Sequence, residues 1–160
     1  MGELSEFPFS VQMFLKAYRW RRIDPVPWTP LSKPLAQCRV GLISTAGLSL
    51  PGQERFDTKI KGGDPTFREI PSGIDAAELI ENHRSNSWDH RGVEQDRNLA
   101  FPIDRLRELE AQGRIGSLAE RHLSFMGSLT APGRMIRDHL SHAADVLVQE
   151  GVDVALLVPV

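Results

Sequence analysis

The sequence predicts an α/β protein with a mostly parallel sheet flanked by helices. Two short apolar runs, residues 39–44 (RVGLIS) and residues 152–160 (VDVALLVPV), are typical of buried parallel strands. The second run follows a helical pattern that ends at Gly151, and the order helix, glycine, strand is the repeating unit of parallel α/β sheets. We therefore expect a Rossmann-like or flavodoxin-like sheet that contains residues 40–44 and 153–158 and is incomplete at its carboxyl end.

An amphipathic helix and a connector precede this domain. Ser10 is the candidate N-cap of the helix. The apolar residues that share one face at helical spacing are Val11, Phe14, Leu15 and Tyr18. We expect this helix to dock on its own domain or on a partner subunit, and contact with a membrane surface is the alternative. Residues 24–34 hold four prolines, which favour a stiff, extended connector. The predicted division is thus residues 1–30, helix and connector, and residues 31–160, the α/β domain.

Two more helices are predicted in the second half of the chain. The first covers residues 102–112, with Pro102 in its first turn and Gly113 as its stop. The second has Thr130 as a candidate cap, and its apolar positions are Ile136, Leu140, Ala143 and Leu147. Between residues 48 and 98, local order is expected at residues 67–70 and 78–80 alone, and a segment this irregular in a compact domain is usually functional or disordered.

Composition excludes several classes of function. The net charge of -2 argues against sequence-independent nucleic-acid binding, which needs a basic surface. The single cysteine, Cys38, rules out an intrachain disulfide and a cysteine-built zinc site, so the reducing cytoplasm is the expected compartment. No apolar stretch reaches the length of about 20 residues that a membrane-spanning helix needs, and the basic cluster near the start follows its apolar run, the reverse of a signal peptide.

The first candidate site is the turn after the first predicted strand. Ligands of open α/β sheets bind outside the carboxyl ends of the strands, where hydroxyls and free amides hold an anion or a carbonyl oxygen. Ser44, Thr45 and Gly47 occupy that place and are candidates for holding a substrate oxygen. The sequence has no dinucleotide, P-loop or nucleophile-elbow motif here, and a tight structural turn is the alternative interpretation.

Histidine and carboxylate side chains form the second candidate site, within fourteen residues of the chain: His83, Asp89, His90 and Asp96. They suit proton transfer or, as an alternative, a metal-dependent enzyme. A hydrogen-bonded loop in which aspartates cap backbone amides is the structural alternative. His122 is a third candidate because a histidine titrates near neutral pH, although a lone histidine in an apolar run is more often structural.

An ordered set of motifs runs through residues 28–160. These motifs are WTPLSKPL from Trp28, RVGLISTAG from Arg39, GDPTFREIP from Gly63, WDH from Trp88, DRN from Asp96, FPIDRL from Phe101, IGSL from Ile115, HLSFMG from His122 and GVDVALLVPV from Gly151. Together they resemble the selenoprotein B family of glycine, sarcosine, betaine and D-proline reductases, most closely its D-proline-reductase-like branch.

The resemblance implies an oxidoreductase component for reductive cleavage of the C–N bond of an amino acid or derivative. In that family a selenocysteine or cysteine attacks the α-carbon, a pyruvoyl group on a partner subunit holds the substrate amine, and thiols reduce the product of the attack. We expect an oligomeric complex, no cofactor or metal bound by this chain itself, and the small amino acid as substrate. Around the nucleophile we place Asp89, His90 and His122 as catalytic residues, and Ser44, Thr45, Gly47 and Asp96 as substrate-binding residues.

The sequence departs from the family pattern at its last residue. The family follows the strand LVPV with selenocysteine or cysteine, two residues and a cysteine, whereas this chain stops at Val160. An in-frame UGA codon taken as a stop is the favoured explanation, and a truncated or split gene, which would leave a non-catalytic interaction module, is the other. We expect the 160-residue chain alone to be inactive and poorly soluble, with residues 154–160 in a central, buried strand.

Overall fold

The computed structural model describes residues 3–18, 22–85 and 90–160. Its contacts divide the chain into two units, Met1–Pro30 and Leu31–Val160. The first unit contains helix α1 (Phe9–Ala17), which begins after Pro8 and not at a Ser10 cap as predicted, because the carbonyl oxygen of Pro8 accepts the first helical bond, from Gln12, and Ser10 lies inside the first turn. None of the nine residues of α1 is buried, and the ring of Phe14 lies 5.7 Å from that of Tyr18, with the two planes tilted by 51°.

The second unit is built on a mixed, mostly parallel sheet. Its strands are β1 (Arg39–Ser44), β3 (Phe67–Pro71), β5 (Ser117–Leu118), β6 (Arg121–Phe125) and β7 (Val154–Val158). Strand β1 runs parallel to β5, β6 and β7, and β3 runs antiparallel to β6. A separate antiparallel pair joins β2 (Leu48–Ser49) to β4 (Ile80–Glu81). The α/β class predicted from the sequence is confirmed.

The described residues of this unit form the α-helices α2 (His90–Gln95), α3 (Ile103–Ala111), α4 (Gly133–Asp138) and α5 (Leu140–Gln149). The predicted ends of α3 and α5 are confirmed, since Gly113 and Gly151 follow them with φ of 67° and 66°, the left-handed conformation that glycine adopts without strain. The long helix predicted after Thr130 is wrong in two respects. It is broken between α4 and α5 at His139, whose φ of −129° is not helical, and α4 begins after Pro132 with no threonine cap.

Strand β7 corrects another prediction. It pairs with β1 along its whole length, as expected, but with no other strand of the residues that the structure describes. It therefore lies at the margin of the described sheet and is not central, and Leu156 and Leu157 are 40% and 68% exposed. An apolar run indicates a strand that avoids water, but it does not encode how many neighbours the strand has.

The core lies on both faces of the sheet. Leu42 packs in one cluster with Phe101 and Leu106, whereas its neighbour Ile43 packs with Leu123 and the residues of α5, because successive strand residues point to opposite faces. Within the three described ranges, no helix has the length and apolar character needed to cross a membrane.

Candidate active site at the carboxyl edge of the sheet

Three parallel strands end together at one edge of the sheet. Ser44, the last residue of β1, is in register with Ser124 of β6 and Val158 of β7. The amide of Thr45 donates a hydrogen bond to Val158 O at 3.1 Å, which continues the ladder past the end of β1. The predicted placement of the two strand ends on a shared edge is confirmed, and this is the edge at which parallel α/β sheets bind their ligands.

Thr45 binds the main chain of Val160 through its hydroxyl. Thr45 Oγ1 accepts from the Val160 amide at 2.8 Å and donates to Val160 O at 3.2 Å. Gly127, just after β6, closes the other side, and its amide donates to Thr45 O at 2.7 Å. A Cβ on Gly127 would lie 2.5 Å from Val160 O, so only glycine allows the segments that follow β6 and β7 to approach this closely.

The other two predicted substrate-binding groups at this edge are bonded within the chain. Ser44 is fully buried, and its Oγ donates to Ala100 O at 2.7 Å and accepts from the Ala46 amide at 3.1 Å. The Gly47 amide donates to Phe125 O at 2.8 Å, with a left-handed φ of 67°. The hydroxyl hydrogens of Ser44 and Thr45 and the amide of Gly47 are thus already engaged, so a substrate oxygen would have to displace one of these bonds.

An apolar pocket of about 540 Å³ opens beside Thr45. Its walls come from β1, β6 and β7 on the sheet side and from α4 and α5 opposite, and Thr45 contributes the one polar side chain among the described lining residues. The exposed Leu157 of β7 forms part of the wall. The edge therefore combines fixed strand ends with an apolar cavity.

A buried carboxylate that the sequence analysis missed organises the histidine segment. Glu81 accepts a hydrogen bond from the ring Nδ1 of His90 at 2.8 Å and from the backbone amide of His83. His90 Nε2 lies 3.0 Å from the carbonyl oxygen of Ser85, so both ring nitrogens face acceptors. The hydrogen bond to Glu81 is the main reason why the pKa of His90 is raised, and the imidazolium form is favoured.

This histidine segment contacts the turn after β1. Glu81 is in register with Leu48, the Asn82 amide donates to Gly47 O at 3.0 Å, and a Cβ on Gly47 would lie 3.3 Å from the backbone of His83. His83 is buried, and burial is the first cause of its lowered pKa, followed by the charge of Glu81, which opposes it. The strand-end turn and the histidine segment are therefore brought together, a contact that the irregular sequence between residues 48 and 81 did not indicate.

The sequence predicted two aspartates for this site, Asp89 and Asp96. Asp89 lies outside the described residues. Asp96 is exposed and caps a 3₁₀ turn at Arg97–Leu99, where Oδ1 accepts from the Asn98 amide at 2.9 Å. This backbone bond is the main cause of the lowered pKa of Asp96. Across residues 3–18, 22–85 and 90–160 no group of three histidine, cysteine, aspartate or glutamate side chains is arranged to hold a metal ion.

His122 lies inside the core on β6 and is fully buried. Its Nδ1 accepts from the Leu42 amide at 3.1 Å, at the place where the β1 ladder passes from β5 to β6 and leaves that amide without a strand partner. Nε2 has no hydrogen-bond partner among the described residues, and the ring meets Phe101 edge to face at 6.1 Å. Burial, followed by the charge of Arg107, lowers the pKa of His122 to about 4, so the ring is neutral near pH 7.

Comparison with known proteins supplies the evolutionary context of this edge. A profile described as glycine/sarcosine/betaine reductase selenoprotein B matches residues 9–159. The chain belongs to this selenoprotein B family. The resemblance drawn from the sequence motifs is thereby confirmed, and the match includes all three strand ends of the candidate site.

The curated relatives of this selenoprotein B family member are reductase subunits. It is 34% identical over 136 residues to D-proline reductase subunit gamma of Acetoanaerobium sticklandii, covering 84% of this chain and 54% of the relative. It is 27% identical to glycine reductase complex component B subunit gamma of Carboxydothermus hydrogenoformans, covering 84% of this chain and 31% of that protein. It is 25% identical to sarcosine reductase complex component B subunit beta of Peptoclostridium acidaminophilum, covering 91% of this chain and 33% of that protein.

The chain therefore spans about half the length of the first of these relatives and about a third of the other two. No solved structure shows a significant match.

Proposed function

We propose that this chain forms the substrate-facing sheet edge of an oxidoreductase that cleaves the C–N bond of an amino acid or derivative. Glycine, sarcosine, betaine and D-proline are the candidate substrates. Membership of the selenoprotein B family supports the reductase class, and three reductase subunits among its relatives support action within a multi-subunit complex.

The observation that carries the proposal is the pair of hydrogen bonds between the Thr45 hydroxyl and the main chain of Val160. The residue that follows Val160 in a longer product starts at the carboxyl edge of the sheet, beside Thr45. Thr45 lines the apolar pocket and belongs to the turn after β1, which contacts the histidine segment. By family resemblance that residue is a selenocysteine or cysteine. The glycine at position 127 leaves room for the backbone there, because any side chain would collide with Val160 O. The described residues thus fit a nucleophile at this point.

The proposed reaction has two steps. An electron pair of the selenolate or thiolate forms a bond to the substrate α-carbon, while the C–N bond breaks and its electron pair leaves with the nitrogen, which takes up a proton. A neighbouring cysteine thiolate then attacks the selenium or sulfur, releases the carbon with a proton, and leaves a bond that an external dithiol reduces. A pyruvoyl group on a partner subunit would hold the substrate amine. We place the reaction in the reducing cytoplasm, where these thiols stay reduced.

His90 is the proposed proton donor to the departing nitrogen, and its Nε2 would exchange the contact with the carbonyl oxygen of Ser85 for one with the substrate. The bond to Glu81 is the main cause of the raised pKa of His90, and a raised pKa favours the protonated ring that a proton donor needs. Asp89 keeps the proton-transfer role predicted for it. The neutral, buried His122 acts through structure, because it holds Leu42 of the central strand and does not face solvent.

The gene and the complete protein test the proposal. The codon after that of Val160 should be UGA or a cysteine codon, followed in frame by two residues and a cysteine. The full-length product with its partner subunit should then yield the C–N cleavage product from one of the four substrates when a dithiol is supplied. Replacing the residue after Val160 by serine should abolish turnover. A stop codon with no continuing frame, or undiminished turnover in the serine variant, would defeat the proposal.

A matched pair of variants tests the proton donor. His90→Gln should lower kcat in the full-length complex, because the amide cannot supply a proton. His142→Gln, at an exposed position on α5, is the control and should leave kcat unchanged. Equal turnover of the two variants would remove His90 from the mechanism.

A further inference from the structure

The hydroxyl of Thr45 makes two bonds to one residue. It accepts from the amide of Val160 at 2.8 Å and donates to the main-chain oxygen of the same residue, the last of the chain, at 3.2 Å. One such bond would fix a distance and leave the peptide free to rotate about it. Two bonds on the two polar atoms of Val160 fix its orientation as well.

Gly127 completes the enclosure from the side of β6. Its amide donates to Thr45 O at 2.7 Å, and a Cβ at this position would lie 2.8 Å from that oxygen and 2.9 Å from Thr45 Oγ1. The backbone after β6 therefore packs directly against Thr45 and Val160. Movement of Val160 away from Thr45 is limited on this side by main-chain atoms, which do not rearrange as side chains do.

We propose that Thr45 is a positioning residue for the nucleophile of the reductase and that it acts through Val160. This inference rests on the proposed function, which places the nucleophile next to Val160. In a product that continues past Val160, the main-chain oxygen of Val160 would be a peptide carbonyl oxygen, in one plane with the nitrogen and Cα of the next residue. By holding Val160 O, Thr45 sets the direction in which the next residue leaves the sheet edge.

This assignment replaces the substrate-binding role that the sequence predicted for Thr45. A hydroxyl has one hydrogen to donate, and that of Thr45 is given to Val160 O. Holding a substrate oxygen would require breaking the bond that orients the nucleophile. The structure therefore favours a Thr45 that binds the backbone of Val160 over a Thr45 that binds the substrate.

The consequence for catalysis is geometric. Displacing a reacting group by about 1 Å reduces turnover by up to about 100-fold even when binding is intact. Loss of the Thr45 hydroxyl should therefore lower kcat and leave KM and the intrinsic reactivity of the nucleophile nearly unchanged. A residue with a merely structural role would instead lower the amount of folded protein.

The experiment uses the full-length protein in its complex and three variants of one residue. Thr45→Val keeps the shape of the side chain and removes its hydroxyl. Thr45→Ala removes the hydroxyl and the γ-methyl, and Thr45→Ser keeps the hydroxyl. Thr130→Val, at an exposed threonine, is the matched control. Turnover is normalised to the fraction of folded protein. The rate of alkylation by iodoacetamide measures the reactivity of the nucleophile, and hydrogen exchange measures the protection of the Val160 amide.

We expect kcat to fall by about 10- to 100-fold in Thr45→Val and Thr45→Ala, with KM within about twofold of the wild-type value. The Val160 amide should exchange faster in both, the iodoacetamide rate should hold, and Thr45→Ser should restore turnover and protection. Unchanged kcat and unchanged exchange in Thr45→Val or Thr45→Ala would overturn the inference. If the wild-type protein itself shows no reactive group after Val160, it is the proposed function that fails.

Discussion

Replacing His122 should remove a large part of the acid sensitivity of the fold. Its pKa falls from the ordinary 6.5 to about 4, mainly because the ring is buried. Between these two pH values the unfolded chain binds a proton on this imidazole that the folded chain does not bind. The free energy of unfolding is therefore unaffected above pH 6.5 and decreases as the pH falls from 6.5 towards 4. At roughly 1.4 kcal/mol per pH unit, the loss amounts to about 3 kcal/mol.

The substitution for this test is His122→Asn, because Oδ1 of asparagine can replace Nδ1 as acceptor for the Leu42 amide while lacking a titratable ring. Urea denaturation from pH 4 to pH 8 should show a shallower decrease of stability for this variant than for the wild type, by about 3 kcal/mol over the range. His122→Leu should in addition cost roughly 1–3 kcal/mol at pH 7, since the Leu42 amide is left buried without an acceptor.

The exposed His142 provides the control, and His142→Asn should keep the wild-type decrease between pH 6.5 and 4. If His122→Asn retained the full pH dependence of the wild type, the buried imidazole would not be its source. The assignment of His122 to a structural role would then lose its energetic support.

Three further predictions concern the sheet edge and its surroundings. Gly47→Ala should destabilise the fold by about 1–2 kcal/mol because position 47 has a left-handed φ. The loss should exceed that of Gly52→Ala, where φ is also positive but the added Cβ would meet open space. Equal losses of stability in urea denaturation would show that crowding at Gly47 is unimportant. Glu81→Gln should lower the pKa of His90, followed by NMR titration of its ring protons, and an unchanged titration would contradict the Glu81 bond. Leu157→Lys should raise the soluble fraction of the 160-residue chain without lowering its melting temperature, because this side chain is 68% exposed, and unaltered solubility would show that the apolar margin does not drive aggregation.

The parts of the fold that the sequence predicted correctly are those with local signals. The runs at residues 39–44 and 152–160 became β1 and β7, and the glycines at positions 113 and 151 ended their helices, because strand propensity and a left-handed stop are written in a few adjacent residues. The break at His139 escaped prediction, since the apolar spacing continues across it and no proline or glycine marks it.

The site was predictable in its residues more than in its bonds. Position after a strand identified Ser44 and Thr45, but the partner of Thr45 is 115 residues away, and the pairing follows from the sheet register alone. Glu81 was missed because its role depends on α2 returning His90 to β4 nine residues further along the chain, and no periodicity of the sequence indicates that return. Likewise the marginal place of β7 depends on its neighbours and not on its own apolar sequence.

The most direct test of the proposed function is to map the reactive nucleophile in the full-length protein. Native protein, with its partner subunit, is labelled with iodoacetamide with and without substrate, and the labelled peptide is identified by mass spectrometry. Cys38 is fully buried, with its Sγ against the carbonyl oxygens of Lys33 and Pro34, and serves as the internal negative control. The account predicts a label on the residue that follows Val160, with protection by substrate. A label on Cys38 alone, or none at all, would contradict it.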